Sequence, residues 1–392
     1  MRLLVATLAW LIIALPVQSV AAPQSLAPEA AENTLFNLLK EVANGSDDSA
    51  MDMAARLTQD YPNFQLAQLI YGDMLAARGM DSTRFNDQGE AAFDKLRNEA
   101  HARWTYKPWQ GEDLIAANLI KLADDYRYAL VFDLENARLF VFENIDGTPR
   151  LHGHYYTSIG KAGIGKLLEG DNKTPLGVYR ITSHIKDEQL PELYGAGAYP
   201  INYPNSWDKL HGRTGYGIWL HGVPRATYSR APLDSEGCMV VSNINLTEIG
   251  DKIDLSRTPV ILARSIEWTT AKDLSEQSAS FSAQFEQWRR DWSSLNVDAY
   301  LAHYSGEFYT TKHNFDSWSQ HKRLVAQGKS FIDVEADDVD IFRYPDPQRD
   351  DELVVVQFVQ RYSSNNFNST SRKQQFWRKE SDGQWRIVYE GA

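Results

Sequence analysis

The sequence holds a single cysteine, Cys238, in Ser235-Glu236-Gly237-Cys238, 17 residues after His221 in Ile218-Trp219-Leu220-His221-Gly222. Without a second cysteine no internal disulfide can form, which leaves a reactive thiol or an inert buried one. A thiol attacks a carbonyl as its thiolate, so it needs a base or a positive local field. His221 is the natural base, because it ends an apolar run of strand type and Gly222 begins a turn after it. Gly237 permits a tight turn that brings backbone N–H groups toward a reacting carbonyl, where an oxyanion would be stabilised. The same spacing also fits a structural pair, a buried apolar cysteine and a hydrogen-bonded core histidine. On the residues alone both readings stand.

The elements around these residues fall into three zones. Residues 1–21 read as an export signal: Arg2, the apolar stretch Leu3 to Leu15, and the small-residue site Ser19-Val20-Ala21 before Ala22. Residues 22–125 are expected to be helical, with Leu35, Leu38 and Leu39, Met53 to Leu57, and Leu66, Leu69 and Ile70 recurring at spacings of three and four. The stretch Ala54 to Gly79 resembles one tetratricopeptide-type hairpin, without the further copies that a solenoid needs. Its apolar stripe must be covered by a neighbouring part of the chain, a second copy or a protein partner. From Tyr126 the period becomes that of strands, with a hairpin at Tyr128–Asp133 and Arg138–Phe142 and further strands at His152–Ser158, Gly177–Thr182, Gly217–Leu220 and Thr258–Ala263. From Ile266 a helix carries Phe281, Phe285, Trp288 and Trp292 on one face, and strands follow at Leu353–Tyr362, Gln374–Arg378 and Trp385–Tyr389. The acidic run Asp333 to Asp340 reads as a solvated turn. The expected fold class is multidomain α+β, with boundaries near 125 and 265.

Composition excludes some classes. A net charge of -12 argues against a nucleic-acid partner. Beyond the signal no apolar run is long enough to span a membrane. The segment Gly160 to Lys166 nearly spells a phosphate-binding loop, but Leu167 stands where Ser or Thr would hold magnesium, so it reads as a flexible rim loop. His152 and His154 lack a third ligand at metal-binding spacing, and His211 lacks the apolar lead-in that marks His221. No metal or organic cofactor is expected.

At His221-Gly222 and Ser235-Glu236-Gly237-Cys238 the chain resembles the L,D-transpeptidase catalytic domain, and Asn243 and Thr174-Pro175-Leu176-Gly177 match further family positions. The resemblance covers residues 126–265. It departs from the family pattern at Glu236, usually His, at Val240, usually Arg, and at Asn245, commonly Asp. These departures resemble a divergent branch of murein-trimming L,D-carboxypeptidases and endopeptidases. Residues 266–392 loosely resemble the nuclear transport factor 2-like (NTF2-like) fold, which wraps a curved sheet around a helix to form a pocket.

The resemblance implies a periplasmic enzyme acting on meso-diaminopimelate-containing peptidoglycan stem peptides. In it Cys238 is the nucleophile, His221 the base and Gly222 the carbonyl that orients the imidazole, while Ser235, Glu236 and Gly237 bind substrate or the oxyanion. An amine acceptor would make it a transpeptidase; water would make it a carboxypeptidase or endopeptidase. The substitutions at Glu236 and Val240 leave a second class open, a cell-wall binding or scaffolding protein with weakened catalysis. The C-terminal pocket is expected to stack on glycan strands.

Overall fold

A computed structural model describes residues 28–78, 87–105, 114–348 and 352–391. The expected export signal lies outside them. The N-terminal region forms helices α1 (Pro28–Asn44), α2 (Asp47–Asp60), α3 (Gln65–Ala77) and α4 (Asp87–Thr105). Ala31, Leu35 and Leu38 on α1 face Ala50, Ala54 and Leu57 on α2, all buried at spacings of three and four. The hairpin expected over Ala54 to Gly79 is α2–α3, turned at Tyr61 to Phe64, with Gly79 outside the described residues. The cluster also contains Tyr228, from the segment between His221 and Cys238. The stripe is thus covered in part by the catalytic zone.

The next strands are β1 (Leu114–Ala116), β2 (Tyr128–Asp133), β3 (Arg138–Ile145), β4 (Thr148–Tyr156), β5 (Ile159–Gly160), β6 (Gly177–Arg180), β7 (Ile185–Lys186) and β8 (Gly197–Pro200). They are followed by α5 (Ser206–Leu210), β9 (Trp219–His221), β10 (Leu233–Ser235), β11 (Met239–Val240), α6 (Asn243–Gly250) and β12 (Pro259–Ala263). One sheet runs β4-β3-β2-β12-β6 and a second runs β11-β9-β8-β7. Strand alternation gives β2 two buried faces. Leu130 and Phe132 pack toward Tyr199, Leu220 and Met239 of the second sheet. Ala129 and Val131 pack the other way, against Phe342, Val355 and Phe376 of the C-terminal region.

The C-terminal region comprises β13 (Trp268–Thr270), α7 (Ala271–Ser293), α8 (Val297–Leu301), α9 (Phe315–Gln327) and an antiparallel sheet of β14 (Ile332–Arg343), β15 (Leu353–Ser364), β16 (Phe367–Lys379) and β17 (Trp385–Gly391), in that order. Phe281, Phe285 and Trp288 of α7 are buried against this sheet. It shares a core with the catalytic zone, where Trp207 stacks on Phe376 at 4.3 Å and the Arg213 guanidinium is buried between Asp208 and Asp346.

Three expectations need correction. Residues 114–123 are not helical: β1 pairs with β13, while Leu119 and Leu122 enter the shared core. The helix expected from Ile266, α7, begins instead at Ala271, capped by the Thr270 hydroxyl, which accepts from the Asp273 N–H. Asp333 to Asp340 is not a turn but part of β14, where a register shift between Asp337 and Asp340 turns Asp340 inward. Asp340 is 1% exposed and accepts the Ala123 N–H at 2.8 Å. Burial pushes its carboxyl up to about 7. Among the described residues no helix is long and apolar enough to cross a membrane.

Candidate active site

β9 delivers His221 and β11 follows directly after Cys238. The two strands pair in parallel, with Leu220 opposite Met239 and His221 opposite Val240. Cys238 directly precedes β11, and its thiol reaches the Gly217 carbonyl just before β9, so it lies alongside the strand that ends in His221. The imidazole is 3% exposed, and its Nδ1 lies 2.6 Å from the Gly222 carbonyl oxygen. A carbonyl only accepts, so Nδ1 carries the proton and Nε2 keeps its lone pair. Burial lowers the imidazole to about 4, with the Arg230 charge acting in the same direction and the bond to Gly222 against it. The ring is neutral at physiological pH and able to accept a proton.

Cys238 is partly exposed, and its thiol donates to the Gly217 carbonyl at 3.3 Å. Burial pushes the thiol up to about 11, the nearby Glu236 carboxylate adds to this, and the Trp219 backbone N–H, Arg230 and Lys166 pull it down. The resting pair is therefore a neutral thiol and a neutral imidazole, not a preformed ion pair. These protonation states suit general-base activation at the moment of attack.

The turn before the cysteine is tightly determined. Gly237 has φ of 124°, and a Cβ there would lie 2.8 Å from the Lys173 carbonyl oxygen. The buried Thr174 hydroxyl donates to the Gly237 carbonyl at 3.0 Å, which gives the Thr-Pro motif a direct structural role. The Ser235 hydroxyl donates to the Cys238 carbonyl at 2.7 Å and accepts the Gly237 N–H at 3.1 Å. The Gly237 N–H is thus engaged within the turn. Glu236 points to solvent and pairs with Lys161 at 3.2 Å.

The His221-Gly222 turn is pinned by Asn243, whose side-chain oxygen accepts the Ala196 and Val223 N–H groups and whose amide donates to the Val223 carbonyl. A Cβ on Gly222 would approach that oxygen at 2.1 Å, so only glycine fits.

Two residues at this site carried no signal in the sequence. Tyr194 lays its ring edge-on to His221 at a centroid distance of 4.9 Å, and the Gly222 N–H donates to its carbonyl. Burial raises the Tyr194 hydroxyl, with further contributions from Cys238 and Glu236. Arg230 lies on the 223–234 segment, eight residues before Cys238; its guanidinium reaches the Leu193 carbonyl at 3.5 Å, beside Tyr194, and its charge lowers both the Cys238 thiol and the His221 imidazole. The sequence pattern looks for a cation two residues after the cysteine, where Val240 is apolar, and so passes over this one.

The other candidates lie in different surroundings. Lys166 is buried on Asp171 at 2.8 Å, and its loop is tied to Thr174 by backbone bonds from Gly165 and to Gly163, so it is not a loose rim. His211 caps α5 and bonds through Nδ1 to the Trp207 carbonyl. Among the described residues no group of three or more His, Cys, Asp or Glu could hold a metal ion.

The C-terminal sheet and its helices enclose a separate cavity of about 440 Å³, lined in part by Trp292, Tyr300, Trp318, Lys322 and Tyr362. The aromatic face of α7 therefore divides: Phe281, Phe285 and Trp288 are core, and Trp292 reaches the cavity. The Lys322 ammonium lies 4.3 Å from the Trp318 ring centroid and 4.5 Å from that of Trp292. Desolvation lowers it to about 8, with Lys373 adding to this and Glu390 opposing it.

Residues 127–262 match the model of the L,D-transpeptidase catalytic domain, and residues 280–391 match that of the Cds6 C-terminal NTF2-like domain. No curated protein matches the chain. Among solved structures it is similar to Bd1075 of Bdellovibrio bacteriovorus, at 29% identity and a TM-score of 0.61, over 71% of this chain and 98% of that one. It also shares its fold with the helical cell shape determining protein Pgp2 of Campylobacter jejuni, at 22% identity and a TM-score of 0.59, over 76% of this chain and 99% of that one. The chain thus joins an L,D-transpeptidase catalytic domain to a C-terminal NTF2-like domain.

Proposed function

We propose that this is an exported, periplasmic cysteine enzyme that acts on meso-diaminopimelate-containing peptidoglycan stem peptides through a thioester at Cys238. One observation carries the reading: the Gly222 carbonyl fixes the proton of the buried His221 on Nδ1 and leaves the lone pair on Nε2, on the strand that pairs with the one directly after Cys238. The sulfur attacks the carbonyl of the L-centre of meso-diaminopimelate while its proton passes to His221 Nε2. The tetrahedral intermediate collapses, the C–N bond breaks, and D-alanine leaves with the proton that His221 returns to its amine. Water or the amine of a neighbouring stem then attacks the thioester, gives its proton to His221 and regenerates the thiol. Water gives L,D-carboxypeptidase or endopeptidase products, and an amine gives L,D-transpeptidase cross-links. No step calls for a metal or an organic cofactor.

A second reading, a wall-binding protein without turnover, is favoured by the high thiol pKa and by the bond that turns the thiol toward Gly217. Purified peptidoglycan separates the two. Accumulated tripeptides, split dimers or new dimers, each lost in Cys238→Ala, establish the enzyme and identify its acceptor. Unchanged muropeptides, together with no mass shift on incubation with a carbapenem-type acyl donor, leave only the binder. Under either reading the aromatic C-terminal cavity would hold part of the polymer.

A further inference from the structure

The segment 223–234, between His221 and Cys238, is gripped from outside the catalytic domain. The Tyr228 ring is 3% exposed, stacks on Phe64 at 4.2 Å and meets Tyr61 edge-on at 5.5 Å. Its N–H donates to the Asn63 carbonyl at 3.0 Å, and the Asn63 side-chain amide donates to the Arg225 and Thr227 carbonyls, each at 3.2 Å. Directly before Arg230 the Ser229 hydroxyl donates to Glu99 at 2.6 Å, and beyond it Lys95 pairs with Asp234 at 2.6 Å. The Arg230 carbonyl accepts from the Tyr156 hydroxyl at 2.8 Å, and the Arg103 guanidinium of α4 lies 3.9 Å over that tyrosine ring. Helical-bundle contacts therefore bracket Arg230 in sequence and in space.

We propose that the N-terminal helical bundle is a positioning domain for the catalytic site: by clamping Tyr228 it fixes the 223–234 segment and keeps the Arg230 guanidinium on the Leu193 carbonyl, next to the Tyr194 ring that meets His221. The inference rests on Cys238 being the reactive group. The charge matters because the thiol is otherwise surrounded by burial and by Glu236, while Lys166 sits engaged on Asp171 and the facing Tyr194 and His221 are neutral. Tyr228 acts through Arg230 and is a positioning residue, with its hydroxyl secondary to its ring.

The test is the pH profile of Cys238 alkylation by iodoacetamide in the full chain, followed by intact mass, since the protein has no other thiol. Arg230→Ala should slow labelling near neutral pH about 3- to 10-fold, as expected for a cation that shifts a thiol by half a pH unit to one unit. Tyr228→Ala and Asn63→Ala should move the profile in the same direction, and Tyr228→Phe, which keeps the ring, should restore it. Adding Tyr228→Ala to Arg230→Ala should slow labelling no further. The proposal is overturned if Tyr228→Ala and Asn63→Ala lower only the melting temperature, if they speed labelling, or if the double variant shows the product of both effects. Asn63→Ala reports even where Tyr228→Ala does not fold. Because alkylation needs no wall substrate, its outcome is independent of muropeptide turnover. Unchanged muropeptides with the expected profile would remove the enzymatic reading alone.

Discussion

Acidification should loosen this protein through His221, by an amount that follows from where the ring sits. The imidazole is 3% exposed and its folded-state value is about 4, against an ordinary 6.5. The unfolded chain therefore takes up the proton first. The stability that His221 contributes is fully present above pH 6.5 and is lost as the pH falls through 4. The interval corresponds to roughly 2 kcal/mol lost by pH 5 and about 3 kcal/mol by pH 4. Urea unfolding of the wild-type protein and of His221→Gln at pH 7.5, 5 and 4 isolates the effect, because the other titrating groups are common to both. The gap between the two proteins should shift by those amounts in favour of the variant as the pH falls. The acid limb of kcat/KM should lie near pH 4 rather than 6.5, since the neutral ring is the base. A gap that is constant with pH, together with an acid limb near 6.5, would refute the neutral buried imidazole and with it the general-base step.

Asn243→Ala removes three hydrogen bonds and leaves the N–H groups of half-buried Ala196 and buried Val223 without that acceptor. It should cost about 2–4 kcal/mol in urea unfolding and impair turnover. Gly237→Ala must strain a backbone at φ of 124° and push against the Lys173 carbonyl, so both melting temperature and Cys238 labelling should fall sharply. Lys322→Met, which keeps the length of the side chain while removing its charge, should weaken pulldown by intact sacculi and leave release of D-alanine from a free tetrapeptide unchanged. In the wild-type protein sacculus binding should decline as the pH rises through about 8, where Lys322 loses its proton.

The readable part of this molecule is the part whose causes are local. A histidine ending an apolar strand and a glycine at positive φ before a cysteine leave marks within a few residues. The hairpin of β2 and β3 and the aromatic face of α7 are equally visible. Arg230 and Tyr194 are not, because their relation to Cys238 is made by the fold and follows no periodicity. The acidic run was misread because charged side chains alternate outward along β14 until the irregularity at Asp338, whose φ is 50°, changes which residues face inward. The joint between the domains was also hidden, since Trp207 and Asp346 are 139 residues apart. Nothing near either residue announces the other.

The stacking of Trp207 on Phe376 and the burial of Arg213 on Asp346 join the two halves through packed side chains. That shared core, and not a tether, sets the distance from the C-terminal cavity to the sulfur. Under the proposed function, a wall polymer seated in that cavity would meet the thiol at a set stride along its length.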